Sequence, residues 1–188
     1  MHIKKLFLLT MLLGSSLVRA EVAETLNYTM YAVKPDAGSS LLKAINAATP
    51  IREGDKKYHG FTKWDVRWKY NYDTSSSGIC KVKSVSVTLT TVITLPELNS
   101  NDETAVSQFA NYLPALKKHE LGHLQIAQEA ARKIEQSLLR QPGLSNCEQL
   151  KTALNDRGNA LVAEAKTQGK EYDEQTQHGK TQGAYLKN

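Results

Sequence analysis

The sequence predicts an α+β fold, with a small antiparallel sheet in the N-terminal half packed on a C-terminal helical half. Three observations carry this expectation. Residues 60–95 alternate apolar and polar positions with a period of two, as strands do. After Pro96 the apolar spacing lengthens to three and four residues, as in amphipathic helices. No internal repeat and no linker separates the two textures, so a single domain holds both.

Residues 1–20 stand apart from that domain. Lys4 and Lys5 form a basic start, Leu6 to Leu13 is an apolar run, and Val18-Arg19-Ala20 places small residues around a cleavage point. This is the layout of a cleavable secretory signal. The run is shorter than the roughly 20 residues that span a bilayer. The expectation is therefore an exported protein, periplasmic or extracellular, with no stable membrane insertion after cleavage and a domain over residues 21–188. Processing removes Lys4, Lys5 and Arg19 but no acid, which lowers the formal charge from +5 to +2. With that balance, and no Lys/Arg stripe interleaved with aromatics, nucleic acid is not an expected partner. Nothing in the pattern specifies an oligomeric state.

Within the domain, Thr25 to Val33 is rich in β-branched and aromatic residues and reads as a strand, followed by a turn at Pro35-Asp36-Ala37-Gly38. Ser39 or Ser40 caps a short helix over Leu41 to Ala48, stopped by Pro50. Gly60 to Tyr72 alternates, with Trp64, Val66, Trp68, Tyr70 and Tyr72 on one face. A Ser-rich turn leads to a second alternating run, Ile79 to Leu95, straight or bent. Antiparallel pairing of these segments is the economical arrangement. The tryptophans Trp64 and Trp68 are assigned to the core rather than to a substrate platform.

Helical periodicity begins at Asp102-Glu103, which cap and charge a helix through Tyr112. Pro114 either opens a second helix or kinks a continuous one, and Pro142-Gly143 ends it after Arg140. A third helix is expected from Asn146 to about Gln168, followed by a polar, Gly-punctuated stretch over residues 169–188. The two cysteines, Cys80 and Cys147, lack metal-ligand spacing and are expected to form one disulfide in an oxidising compartment.

The chemistry lies in His119-Glu120-Leu121-Gly122-His123. Histidines four apart on a helix lie one above the other, so both imidazoles reach one cation. Glu120, turned by about 100°, is placed to hold a water and take its proton, while zinc acidifies that water and polarises a carbonyl. With His119 at zero and about 100° per residue, Tyr112, Leu116, Ala127, Ala130, Ile134 and Leu138 fall within about 20–100° and His123 near 40°. Lys117, Lys118, Gln125, Gln128, Arg132 and Gln136 fall opposite. Both histidines therefore turn into the apolar face, where two imidazoles need partners and a shared metal supplies them. The alternative is a pair of core histidines bonded to main-chain carbonyls, with Glu120 a solvated surface acid.

A catalytic zinc needs a third protein ligand and one open position. Glu129 falls on the wrong side of the helix. Glu148 and Glu164 on the third helix are possible carboxylate ligands, and His178 is the stronger choice because imidazole is a common zinc ligand. His59 precedes a strand and has no patterned neighbours.

The chain resembles a family of predicted secreted bacterial zinc-dependent proteases, long catalogued as a domain of unknown function. The features that carry the resemblance are the exported N-terminus, Trp64-x-x-x-Trp68-x-Tyr70, Cys80 with Val82, Leu95-Pro96, His119-Glu120-x-x-His123 and Tyr172-Asp173-x-x-Thr176-x-His178-Gly179. The resemblance implies His119, His123 and His178 as zinc ligands and Glu120 as catalytic base. Tyr172 is then a candidate for stabilising a developing oxyanion, or the cap of the third helix's apolar stripe, and Asp173 for orienting an imidazole. The expected function is that of a secreted zinc metalloendopeptidase acting on a peptide or protein substrate. Two alternatives stand beside it, a metal-binding but non-catalytic envelope protein and a zinc amidase acting on a cell-wall component.

Overall fold

The computed structural model of the protein describes residues 21–187. The secretory signal expected over residues 1–20 lies outside them. In chain order the elements are β1 (Glu21–Val33), α1 (Leu41–Ala48), β2 (Arg52–Glu53), β3 (Lys56–Lys57), β4 (Phe61–Thr74), β5 (Cys80–Leu98), α2 (Glu103–Leu139), α3 (Cys147–Thr176) and a 3-10 turn over Lys180–Gln182. The fold is α+β, as the change of period at Pro96 predicts.

The main sheet has the order β1-β5-β4, and β2 and β3 form a separate small hairpin. β4 and β5 pair antiparallel, as expected of two alternating runs joined by a short turn. β1 joins the other edge of β5 in parallel, in register from Glu21 opposite Ser86 to Val33 opposite Leu98. Strand direction is not encoded in the alternation, and the intervening α1, hairpin and β4 provide the return path that parallel pairing needs.

The strict alternation of β5 breaks at one place. Asn71 pairs with Ser84 but Tyr72 pairs with Val82, so Lys83 is one extra residue on β5. That bulge puts both Val82 and Val85 on the buried face, although they are three residues apart. Trp64, Val66, Trp68, Tyr70 and Tyr72 on β4 pack with them against the helices. Trp68 lies across Gly158 of α3 and donates through Nε1 to Asn155 Oδ1 at 3.2 Å. Both tryptophans belong to the core region.

α2 is one helix of 37 residues, about 55 Å long. The Asp102 side chain caps it by accepting from the Ala105 amide at 2.7 Å. Pro114 lies inside this helix without dividing it. Proline there leaves the Ala110 carbonyl without its helical partner, and both residues are exposed, so water can satisfy it. The apolar stripe runs through Tyr112, Leu116, Leu124, Ala127, Ala131, Ile134 and Leu138 and faces the sheet. Ile134, Leu138, Leu150 and Leu154 are fully buried, each contributing about 1.5–3 kcal/mol relative to exposure.

Two apolar clusters result. One joins Val82 to Leu89 of β5 with the second half of α2 and with α3. The other joins Val33, α1, Ile93, Leu95, Tyr112, Leu116 and Leu186. Leu121 packs against both, so His119 to His123 sits at the boundary between them.

α3 starts where expected, with Asn146 Oδ1 accepting from the Glu148 and Gln149 amides. It runs on to Thr176, eight residues past the end predicted at Gln168, with Gly169 inside it. An interior glycine costs about 1 kcal/mol, and here the contacts of Tyr172 and Asp173 with α2 hold the additional two turns in place.

The expected disulfide is formed. Cys80 and Cys147 are bonded with Cα atoms 5.3 Å apart. Cys80 and Leu144 also exchange two main-chain hydrogen bonds, so the α2–α3 connection is fixed to the start of β5. A disulfide is compatible with export, and among the described residues no helix is long and apolar enough to cross a membrane. The bridge closes 67 residues of separation. The double substitution C80S/C147S is therefore expected to lower stability by about 4 kcal/mol in the chain-entropy account, read from the denaturant midpoint. A shift below about 1 kcal/mol would mean that other contacts already hold this loop.

Candidate metal centre

Helical spacing puts His119 and His123 one turn apart on the buried side of α2. His119 and Glu120 are each 3 % exposed. The last turns of α3 cross this point and bring Tyr172, Asp173 and Thr176 to it. Beyond α3 the chain reverses through three successive left-handed residues, Gln177 (φ 50°), His178 (φ 51°) and Gly179 (φ 82°). Two of them are not glycine, a costly backbone that persists where the surrounding structure enforces it.

Three imidazoles meet at one carboxylate oxygen. His119 Nε2 lies 3.1 Å and His123 Nε2 3.0 Å from Asp173 Oδ1, and His178 Nδ1 lies 3.4 Å from the same atom. The three histidines singled out in the sequence are thus brought together, and Asp173 stands at their centre. Among the described residues, the group whose donor atoms all lie within 4.8 Å of one another is His119, His123 and Asp173. His178 is outside that group, half exposed, with its ring 5.1 Å from that of Tyr58.

These residues suit a small divalent cation. With bonds of about 2.0–2.1 Å, a tetrahedral site spaces neighbouring donors about 3.3 Å apart. The 3.0 and 3.1 Å separations between Asp173 Oδ1 and the two Nε2 atoms match that spacing. Two imidazoles and one carboxylate are also a donor set that zinc accepts. Burial works against the charged Asp173 carboxylate, but hydrogen bonds from His119 and His123 and the charges of His123 and His178 outweigh it and hold the carboxyl well below its usual range. Burial also disfavours a charged His119. The Asp173 hydrogen bond and the Glu120 charge prevail over it and raise the imidazole above its ordinary value.

Glu120 is not a solvated acid. Its carboxylate lies under the start of β4, where Thr62 Oγ1 donates to Oε2 at 2.7 Å. A Cβ on Gly60 would come within 2.5 Å of Oε1, so glycine makes the room for this carboxylate. Burial raises the Glu120 carboxyl, opposed by the Thr62 hydrogen bond and by the charges of His119 and His123. A carboxyl tuned upward beside two imidazoles is suited to taking and returning a proton.

Tyr172 stacks on His119 with centroids 5.0 Å apart and planes 9° from parallel, and meets His123 edge-on. Its hydroxyl donates to the His119 carbonyl at 3.3 Å and accepts from Gln182 Nε2 at 2.9 Å. A Cβ on Gly122 would overlap the Tyr172 hydroxyl and ring, so only glycine lets the tyrosine lie this close to α2.

The other acids considered as ligands lie elsewhere. Glu164 is nine residues before Asp173 on the same helix, about 13 Å away along its axis, and pairs with Lys133 at 3.5 Å. Glu129 pairs with the same lysine at 3.0 Å and Glu148 with Lys151 at 2.6 Å. His59 belongs to a separate polar cluster, donating to Asn46 Oδ1 and accepting from the Tyr112 hydroxyl.

Sequence reasoning gave Asp173 only an orienting role and did not single out Thr62, Gln182 or the crowding at Gly122. A glycine inside a long helix is the one readable signal among these, since its cost implies a close approach. A family described as bacterial protein of unknown function (DUF922) matches residues 28–179. No curated protein and no solved structure matches the chain.

Gly122→Ala forces Tyr172 away from His119 and His123. It is expected to cost about 1–3 kcal/mol of stability by overpacking and to weaken divalent-metal binding, checked by thermal melting and a zinc titration. A variant with wild-type stability and affinity would mean that Tyr172 has room to move without consequence.

Proposed function

The chain belongs to the bacterial family of unknown function DUF922, and from its site we propose that it is an exported zinc-dependent peptidase. The observation that carries this reading is the convergence of His119 and His123 on Asp173, with the buried Glu120 carboxylate beside them.

On this reading His119, His123 and Asp173 hold the metal, and His178 stands at the open side of the site. Zinc bound there would supply Lewis-acid polarisation of a substrate carbonyl and would acidify a water molecule. Glu120 would take a proton from an attacking water and return it to the departing amine, as the water oxygen bonds to the carbonyl carbon and the C–N bond breaks. Thr62 and Gly60 hold its carboxylate in place for both transfers. Tyr172, with its hydroxyl already bonded within the cluster, positions the two imidazoles. Asp173 is 28 % exposed and His178 51 % in their side chains, so substrate approaches from their side.

Glu120→Gln keeps the shape of the site and removes the base. It is expected to retain about one zinc per chain and to lose hydrolysis of a peptide library by about 10²–10⁴-fold. Unchanged hydrolysis in that variant would remove the peptidase reading. Digesting purified cell wall beside the peptides separates an amidase from a peptidase. Undiminished biological function in Glu120→Gln, with no hydrolysis of either material, would point to a non-catalytic envelope protein.

The third ligand has its own test. Metal analysis of Asp173→Ala beside His178→Ala is expected to show zinc lost in the first and kept in the second. The reverse result would restore His178, the ligand expected from the sequence.

A further inference from the structure

We infer that Gln182 is a positioning residue of the metal centre, holding His119 in the tautomer whose Nε2 faces the shared site. This inference rests on the proposed metal centre. It also assigns a purpose to the chain reversal that follows α3.

The amide group of Gln182 is used at both ends. Its Oε1 lies 3.1 Å from His119 Nδ1, and its Nε2 donates to the Tyr172 hydroxyl at 2.9 Å. With Tyr172 accepting from that nitrogen, the amide oxygen is the end that faces the imidazole. An oxygen there accepts a hydrogen bond, so Nδ1 keeps its proton, and Nε2, which donates to Asp173 in the metal-free protein, is the nitrogen left to give up its proton to a metal. Nε2 is the atom that faces Asp173 at 3.1 Å. A second acceptor lies near Nδ1. Thr176 Oγ1 is 3.3 Å away, but it also approaches the Tyr172 carbonyl at 2.7 Å and donates its own proton there.

The backbone around Gln182 is built to deliver it. Gln177, His178 and Gly179 turn the chain in the left-handed region, and Gly183 (φ 96°) turns it again. The Gln182 and Ala184 amides both donate to the Gly179 carbonyl at 3.0 Å. Beyond them Leu186 is buried in the cluster with Tyr112 and Leu116. The segment is thus pinned at both ends, with Gln182 over α2 between them.

Partners of this kind fix ring orientation and tautomer, and their loss typically costs 10–100-fold in metal affinity. The test is a competitive titration with zinc alone, using a chromophoric chelator, on the wild type, Gln182→Met and Gln182→Glu. Methionine fills a similar volume without an acceptor, whereas glutamate keeps an oxygen for the Nδ1 proton. Gln182→Met is expected to bind zinc about 10–100-fold more weakly and Gln182→Glu close to wild type. In histidine-labelled, zinc-loaded protein, NMR should show a slowly exchanging Nδ1 proton on His119 in the wild type and in Gln182→Glu, and none in Gln182→Met.

Wild-type affinity and a preserved Nδ1 proton in Gln182→Met would overturn the inference and assign that hydrogen bond to Thr176. A spectrum of the zinc-loaded wild type with His119 protonated at Nε2 instead of Nδ1 would overturn it without recourse to any variant. Failure of the wild type itself to take up zinc would instead remove the metal centre on which the inference depends.

Discussion

Two imidazoles turned inward on one helix face set the constraint that the surrounding structure answers. A buried ring nitrogen without a partner is costly, and two of them side by side cannot both be met by α2 itself. The Asp173 carboxylate meets them together, at 3.0 and 3.1 Å. For that, α3 must extend two turns past Gly169, and Tyr172 must lie flat on His119, which Gly122 permits. The same arrangement gathers two imidazole nitrogens around one carboxylate oxygen, each at a separation that suits neighbouring ligands of a small cation. A network that answers burial in the free protein is thereby also a preformed set of ligands.

The sheet contributes through a single carboxylate. Thr62 at the start of β4 hydrogen-bonds Glu120, and Gly60 leaves it room, so the proposed base is held by the N-terminal half while the histidines are held by the helices. Relative placement of the two halves thus sets the geometry between the proposed base and the histidines. The disulfide and the bridge between Cys80 and Leu144 tie β5 to the α2–α3 connection. They act at the opposite end of the helix pair from the site, and stabilise the frame rather than the chemistry.

The readable parts of the sequence were those governed by periodicity. The period of two in residues 60–95 and the inward face of His119 and His123 both follow from backbone geometry and burial alone. Capping chemistry at Ser40, Asp102 and Asn146 was readable for the same reason. The parallel direction of β1 was not, because a strand shows the same alternation whichever way it pairs. The extension of α3 was hidden by Gly169 and a polar composition, since tertiary contacts rather than propensity hold those turns. Asp173 and Gln182 reach the centre through crossings and turns that depend on the whole fold, and a polar residue in a glycine-punctuated tail carries no local mark of its partner. His178 was readable as a neighbour of the site, but its distance from the other donors was not.

X-ray absorption at the zinc edge, on protein loaded to equilibrium, tests the metal centre most directly. The account predicts a shell of nitrogen and oxygen at about 2.0–2.1 Å, with the outer scattering of two imidazoles and no sulfur. Protein that retains no zinc after dialysis, or zinc whose spectrum lacks imidazole scattering, would contradict it.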